Sequence, residues 1–108
     1  MLASDIGAKV KQEQREAPRE EVFHRTRLII GSISVPVQLV NISASGFMAR
    51  TQSEIEPGTA FSLRLPAVGE RGAEVRWALG GRIGCQFARP IELAQYMDLL
   101  GALAKEGR

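Results

Sequence analysis

Cysteine and histidine are nearly missing from this sequence: among 108 residues, Cys85 and His24 stand alone. One thiol excludes an intrachain disulfide, and no second thiolate or imidazole stands at metal-ligand spacing, which removes most zinc and iron arrangements. A lone histidine inside a strand-like pattern makes a poor general base, and Cys85, on the apolar face of its strand, reads as a small buried hydrophobe. No enzyme is expected. Long apolar runs are missing as well, with no window near the roughly 20 residues that a spanning helix needs. The start MLASDIGAKVK has no apolar core followed by a cleavage-like site, so secretion is not suggested and a reducing cytoplasm is the expected compartment. Charge of one sign is scarce too. Fourteen basic residues face twelve acidic ones, formally +2, too small an excess for a general polyanion scaffold. Aromatics are only 6% of the chain, and no aromatic-rich face that would interleave with bases is evident, so nucleic acid is not an expected partner.

What is present is strand periodicity in a chain long enough for a single core. Residues 1–21 are polar and mixed in charge, with Pro18 near their end, and read as a flexible arm; residues 22–105 read as the folded unit. Val22 to Ile30 and Ile33 to Val40, broken by Gly31-Ser32, predict a hairpin, and Pro36 marks its second strand as irregular or at an edge. Phe47 to Thr51 is a short segment before a loop with Pro57-Gly58. Three alternating strands follow. Phe61, Leu63 and Leu65 share one face, then Ala73, Val75, Trp77 and Leu79, then Ile83, Cys85 and Phe87. Gly80-Gly81 between the last two suits a tight hairpin. After Pro90 the period changes to that of a helix, with Ile91 or Leu93, Tyr96 or Met97, Leu100, and Leu103 or Ala104 on one face, and Gly107 placed to end it. The prediction is all-β: about six short antiparallel strands forming a small barrel, with a C-terminal α-helix over an open end or flank.

Two polar clusters interrupt this pattern. Arg15 and Arg19 stand four apart in REAPR, where they belong either to a solvated tail or to a phosphate clamp, because guanidinium forks accept phosphate and purine edges and stack on rings. The stretch NISASG places Asn41 and Ser43 two apart at a strand end, followed by Gly46. Its plainer account is a capped turn, with glycine meeting a steric demand. Its functional account sets an amide and a hydroxyl against a base edge.

Together the clusters resemble the two-part signature of the PilZ domain, a family of small bacterial receptors for cyclic di-GMP. The signature is an arginine pair separated by three residues, then Asp or Asn, any residue, Ser, two residues and Gly. Arg15, Arg19, Asn41, Ser43 and Gly46 match it, and GAEVRWALGGRIGCQF is similar to the family's late strand, tryptophan, turn and strand. The resemblance covers about residues 12 to 104. It implies a six-stranded antiparallel PilZ-like barrel, with Arg15 and Arg19 clamping phosphates and guanines, Asn41 and Ser43 on a guanine, and Gly46 allowing a close turn. It also implies uptake of one cyclic di-GMP or an intercalated pair, with ordering of the arm and relay to a downstream protein. Gln14 departs from the adjacent arginine common in the family, and Glu13, Glu16, Glu20 and Glu21 crowd the arm, which predicts weaker binding or a single ligand. Arg50 is a candidate supporting cation. The alternative is a PilZ-like interaction module that does not bind the nucleotide and docks on a motility, pilus or envelope component. No membrane span and a monomer or weak dimer are expected.

Overall fold

The computed structural model describes residues 19–106, and within them six strands and one helix follow the expected order. The strands are β1 (Glu20–Ile30), β2 (Ile33–Ile42), β3 (Gly46–Arg50), β4 (Ala60–Leu65), β5 (Gly69–Leu79) and β6 (Arg82–Phe87), followed by α1 (Leu93–Glu106). All pair antiparallel and close a barrel in the order β1, β2, β3, β6, β5, β4. Closure removes the free edges that would otherwise template association. The first strand begins two residues ahead of the composition change, because Glu20 and Glu21 pair with Ile42 and Asn41.

The interior is filled mostly by the residues that the period of two selects, with Ile42 brought in by a register shift between Leu39 and Asn41. Leu28, Val35, Val37, Leu39, Ile42, Ala49, Leu63, Val75 and Ile83 are all buried. Phe47 lies at the centre, with its ring centroid 6.2 Å from Phe61 and 5.6 Å from Phe87. Each of the larger of these side chains contributes about 1.5–3 kcal/mol when withdrawn from water, and Ala49 less. Cys85 is buried among them, and burial pushes its thiol up to about 12, which leaves it protonated and unreactive near neutrality.

The helix closes one mouth of the barrel. Ile91, Tyr96, Leu99 and Leu103 are buried, whereas Leu93 and Met97 are exposed, so the helical face turns on Ile91 and Tyr96 of the alternative pairs. The Ile91 amide donates to Ala44 O at 2.8 Å, and the Tyr96 hydroxyl donates to Ile42 O at 3.2 Å. At the far end of α1 the carboxylate of Glu106 pairs with the largely buried His24 ring. His24 therefore fastens the helix end to β1.

Three features depart from the simple alternation. The fifth strand starts at Gly69, ahead of Ala73, because Gly69 and Gly72 look like loop residues yet pair with Leu65 and Ser62. Pro36 lies in a strand flanked on both sides, but β3 ends at the Gln38–Arg50 pair, so Pro36 has no strand on that side; its carbonyl takes the Thr51 hydroxyl instead. The apolar face expected to run from Ala73 through Leu79 breaks after Val75. A register shift between Val75 and Trp77 turns Trp77 outward, 42% exposed, and leaves Leu79 exposed beyond it. An extra residue in one strand reverses the alternation that follows, which is why a strict period of two misplaces the tryptophan.

Candidate functional site

Asn41 sits where β2 is irregular. Leu39 faces Ala49 and Asn41 faces Met48, so Val40 and Asn41 together oppose one residue of β3. A bulge of this kind leaves an extra residue unpaired and re-aims neighbouring side chains. Asn41 is thereby half-buried but reachable. Its Nδ2 approaches Met48 Sδ at 3.8 Å, and its Oδ1 accepts a hydrogen bond from Arg19 Nη1 at 2.9 Å. The two halves of the sequence signature, 22 residues apart, thus touch in the folded chain. Asparagine at 41 accepts this bond without carrying a counter-charge, so the cation of Arg19 is not neutralised there.

Ser43 and Gly46 occupy different positions. Ser43 is only 1% exposed. Its amide donates to Gly46 O at 2.8 Å, and its hydroxyl lies 3.2 Å from the Ser45 hydroxyl and 3.3 Å from the Ser45 amide, which donates to it. These bonds close the β2–β3 turn and fix where Asn41 points. Gly46 answers a packing demand: a Cβ there would lie 2.2 Å from the backbone oxygen of Cys85 on β6. No side chain fits between those two backbones.

Following the register across the outer face gives the whole surface. From Asn41 it passes to Met48, to Gly84 and to Trp77 on successive strands. The indole lies on Gly84, with its Nε1 at 2.1 Å from the position a Cβ would take. The register shifts of β1 (between Glu21 and His24), β2 and β5 all fall in this same transverse band. Irregularities next to one another in space, not in sequence, thus frame a floor of Met48 and Gly84 between Asn41 and Trp77. Arg76, from the same bulge as Trp77, donates through Nη1 to Gln86 Oε1 at 2.5 Å. With Gly84 covered by the indole, the surface offers the half-buried Met48 side chain, the Trp77 ring, an amide and guanidinium groups, a combination suited to a planar base carrying phosphate.

The remaining sequence candidates are placed as follows. Arg50 is exposed on the outer face, two residues beyond Met48 and opposite Arg82. Gln14 and Arg15 lie outside the described residues. Met48, Gly84 and Trp77 were missed as site residues, although a glycine inside the alternating strand RIGCQF was a signal of close approach from a neighbour. Among the described residues no group of three or more acidic, histidine or cysteine side chains converges on a metal site, and no helix is long and apolar enough to cross a membrane.

Comparison with known families agrees with this geometry. The family model described as PilZ domain matches residues 13–105, a span that includes both polar clusters, the barrel and nearly all of α1. No curated protein matches the chain. The chain belongs to the PilZ domain family.

Proposed function

We propose that this PilZ chain is a receptor for cyclic di-GMP that orders its N-terminal arm on binding and relays the signal to another protein. The observation that carries the reading is the Arg19–Asn41 hydrogen bond at 2.9 Å, which joins the arm to the β2–β3 turn above the Met48–Gly84 floor. A ligand with two phosphates and two flat bases rewards both parts of such a surface, since charge-assisted forks hold the phosphates and apolar or aromatic surface holds the bases.

In this reading Arg19 and Arg15 hold phosphate and stack on guanine. Asn41 presents its amide to a base edge. Ser43 serves by holding the turn that aims Asn41, and Gly46 by letting β3 approach β6. Trp77 bounds the floor on the far side. Gln14, in place of a third arginine, favours a single ligand over an intercalated pair. Docking the arm converts nucleotide concentration into a change of surface, which is how an order–disorder step signals without chemistry.

The exposed Leu93 and Met97 on α1, 74% and 57% accessible, favour a second reading in which the domain docks on a protein without binding nucleotide. Calorimetric titration with cyclic di-GMP separates the two. Saturable heat in the parent, absent with GTP and lost in Arg19→Ala, supports the receptor and gives its stoichiometry. No heat and an unchanged spectrum of the arm at high ligand transfer the assignment to the docking module.

A further inference from the structure

We infer that the outer face of the barrel carries a second recognition surface, a transverse row of arginines that takes a short acidic segment of a partner protein. The register aligns Arg25 of β1 with Gln38 of β2, Gln38 with Arg50 of β3, and Arg50 with Arg82 of β6. All three arginines are exposed. Among the described residues none of them has a carboxylate within salt-bridge distance, and the only ion pair there is His24 with Glu106. Arg50 and Arg82 are like charges directly opposite each other on paired strands, an arrangement that costs stability. Among the described residues no carboxylate pairs with either, although Glu54 and Glu56 line a recess together with Arg82, and an external anion would supply the missing partner.

The shape of the row selects the kind of anion. Neighbouring strands lie about 4.8 Å apart, so Arg25 to Arg82 spans about 14 Å. One phosphate cannot reach all three guanidinium groups. An extended peptide rises about 3.3 Å per residue, so alternate acidic side chains fall about 6.6 Å apart on one side, and three of them cover about 13 Å. Between Arg25 and Arg50 lies a recess of about 530 Å³ lined also by Gln38, Gln52 and Ser53, which supply neutral donors beside the charges. The guanidinium of Arg25 is held over the Phe23 ring at 5.5 Å, so its side chain is partly pre-positioned. The row is short. Glu54 and Glu56 line the adjoining recess together with Arg82, and their repulsion limits the row to a short anionic stretch, which an acidic peptide segment provides and a continuous nucleic-acid backbone does not. The inference does not depend on the nucleotide reading, although the row lies next to the Asn41–Met48–Gly84–Trp77 surface.

The test uses the full chain and a fluorescein-labelled peptide of alternating glutamate and serine, with glutamine in place of glutamate as its control. Anisotropy should report binding of the glutamate peptide alone, weakened about tenfold in the triple variant Arg25→Ala, Arg50→Ala, Arg82→Ala, as expected for the loss of three exposed charge pairs. The variant should melt no lower than the parent, because it removes a like-charge pair. A second triple variant, Arg64→Ala, Arg89→Ala, Lys105→Ala, removes the same charge elsewhere and should weaken binding by less than about threefold. Equal losses in both variants would reduce the surface to general electrostatics and overturn the inference. Displacement of the peptide by a tighter-binding single-stranded oligonucleotide would give the row to nucleic acid, and tighter peptide binding in Glu13→Gln, Glu16→Gln would give it to the chain's own arm; either result also overturns the inference.

Discussion

Two glycines on neighbouring strands do opposite things. At Gly46 the missing side chain lets the backbone of β3 come against the backbone of β6, with Cys85 O at 2.2 Å from a would-be Cβ. At Gly84 the missing side chain leaves room for a movable indole, that of Trp77. The first is a condition for the barrel to close correctly beside the turn. The second makes part of its outer surface. An obstacle made of backbone cannot move without breaking strand pairs, whereas a 42% exposed tryptophan can swing into solvent.

The largest expected effect tests the first half of that contrast. Gly46→Ala should lower stability by about 3 kcal/mol, the upper part of the usual range for overpacking, measured by urea denaturation; a loss as small as that of an exposed site would mean β3 can retreat from β6. Arg19→Ala should separate the surface from the fold, with cyclic di-GMP affinity falling by about 2 kcal/mol as a charge-assisted contact is lost while the melting temperature stays within a degree or so of the parent's. A melting temperature that falls with the affinity would assign Arg19 a structural task.

The interior side of β6 gives a pH test. Burial holds the Cys85 thiol above its ordinary value of 9.0, up to about 12. The unfolded chain loses this proton first, so the stability present below pH 9 falls as pH rises from 9 towards 12, by about 1.4 kcal/mol per pH unit at most. Tyr96, raised by burial and then by Glu20, acts in the same direction above its ordinary value of 10.0. A Cys85→Ser variant should flatten the lower part of that slope in denaturation curves taken across this range.

Smaller effects belong to the outer surface. Trp77→Ala should lower stability by about 1–2 kcal/mol, since more than half of the indole is withdrawn from water, while weakening nucleotide binding as well if the floor receives a base. Gly84→Ala should cost about 1 kcal/mol or less, because the indole yields and the strands do not, and Trp77 emission should shift to the red as the ring leaves its seat. Equal losses for the two glycine variants would erase the distinction between them.

Much of the interior was legible because burial enforces a period of two, and Leu63, Val75 and Ile83 had to face inward together. The six strands, the Gly80-Gly81 hairpin with φ of 61° and 79°, and the helix after Pro90 follow from local preference and spacing. Asn41 was legible as part of a polar cluster out of place in strand-like sequence, and Arg19 through its four-residue spacing from Arg15 in the polar arm. The position of Trp77 was not, since nothing local to AEVRWAL says that the ladder slips between Val75 and Trp77. Nor was the inward burial of Ser43, which follows from how the turn closes on Gly46.

The sequence by itself determined which side chains must leave water, where the chain turns, and which residue types could meet a phosphorylated base, because these depend on composition and spacing along one strand. Tertiary structure alone decided that Arg19 meets Asn41, that Trp77 lies on Gly84, and that Arg25, Arg50 and Arg82 stand in one row. Each of these is a relation between strands, set by register and by bulges, and register is a property of the paired sheet and not of any single strand.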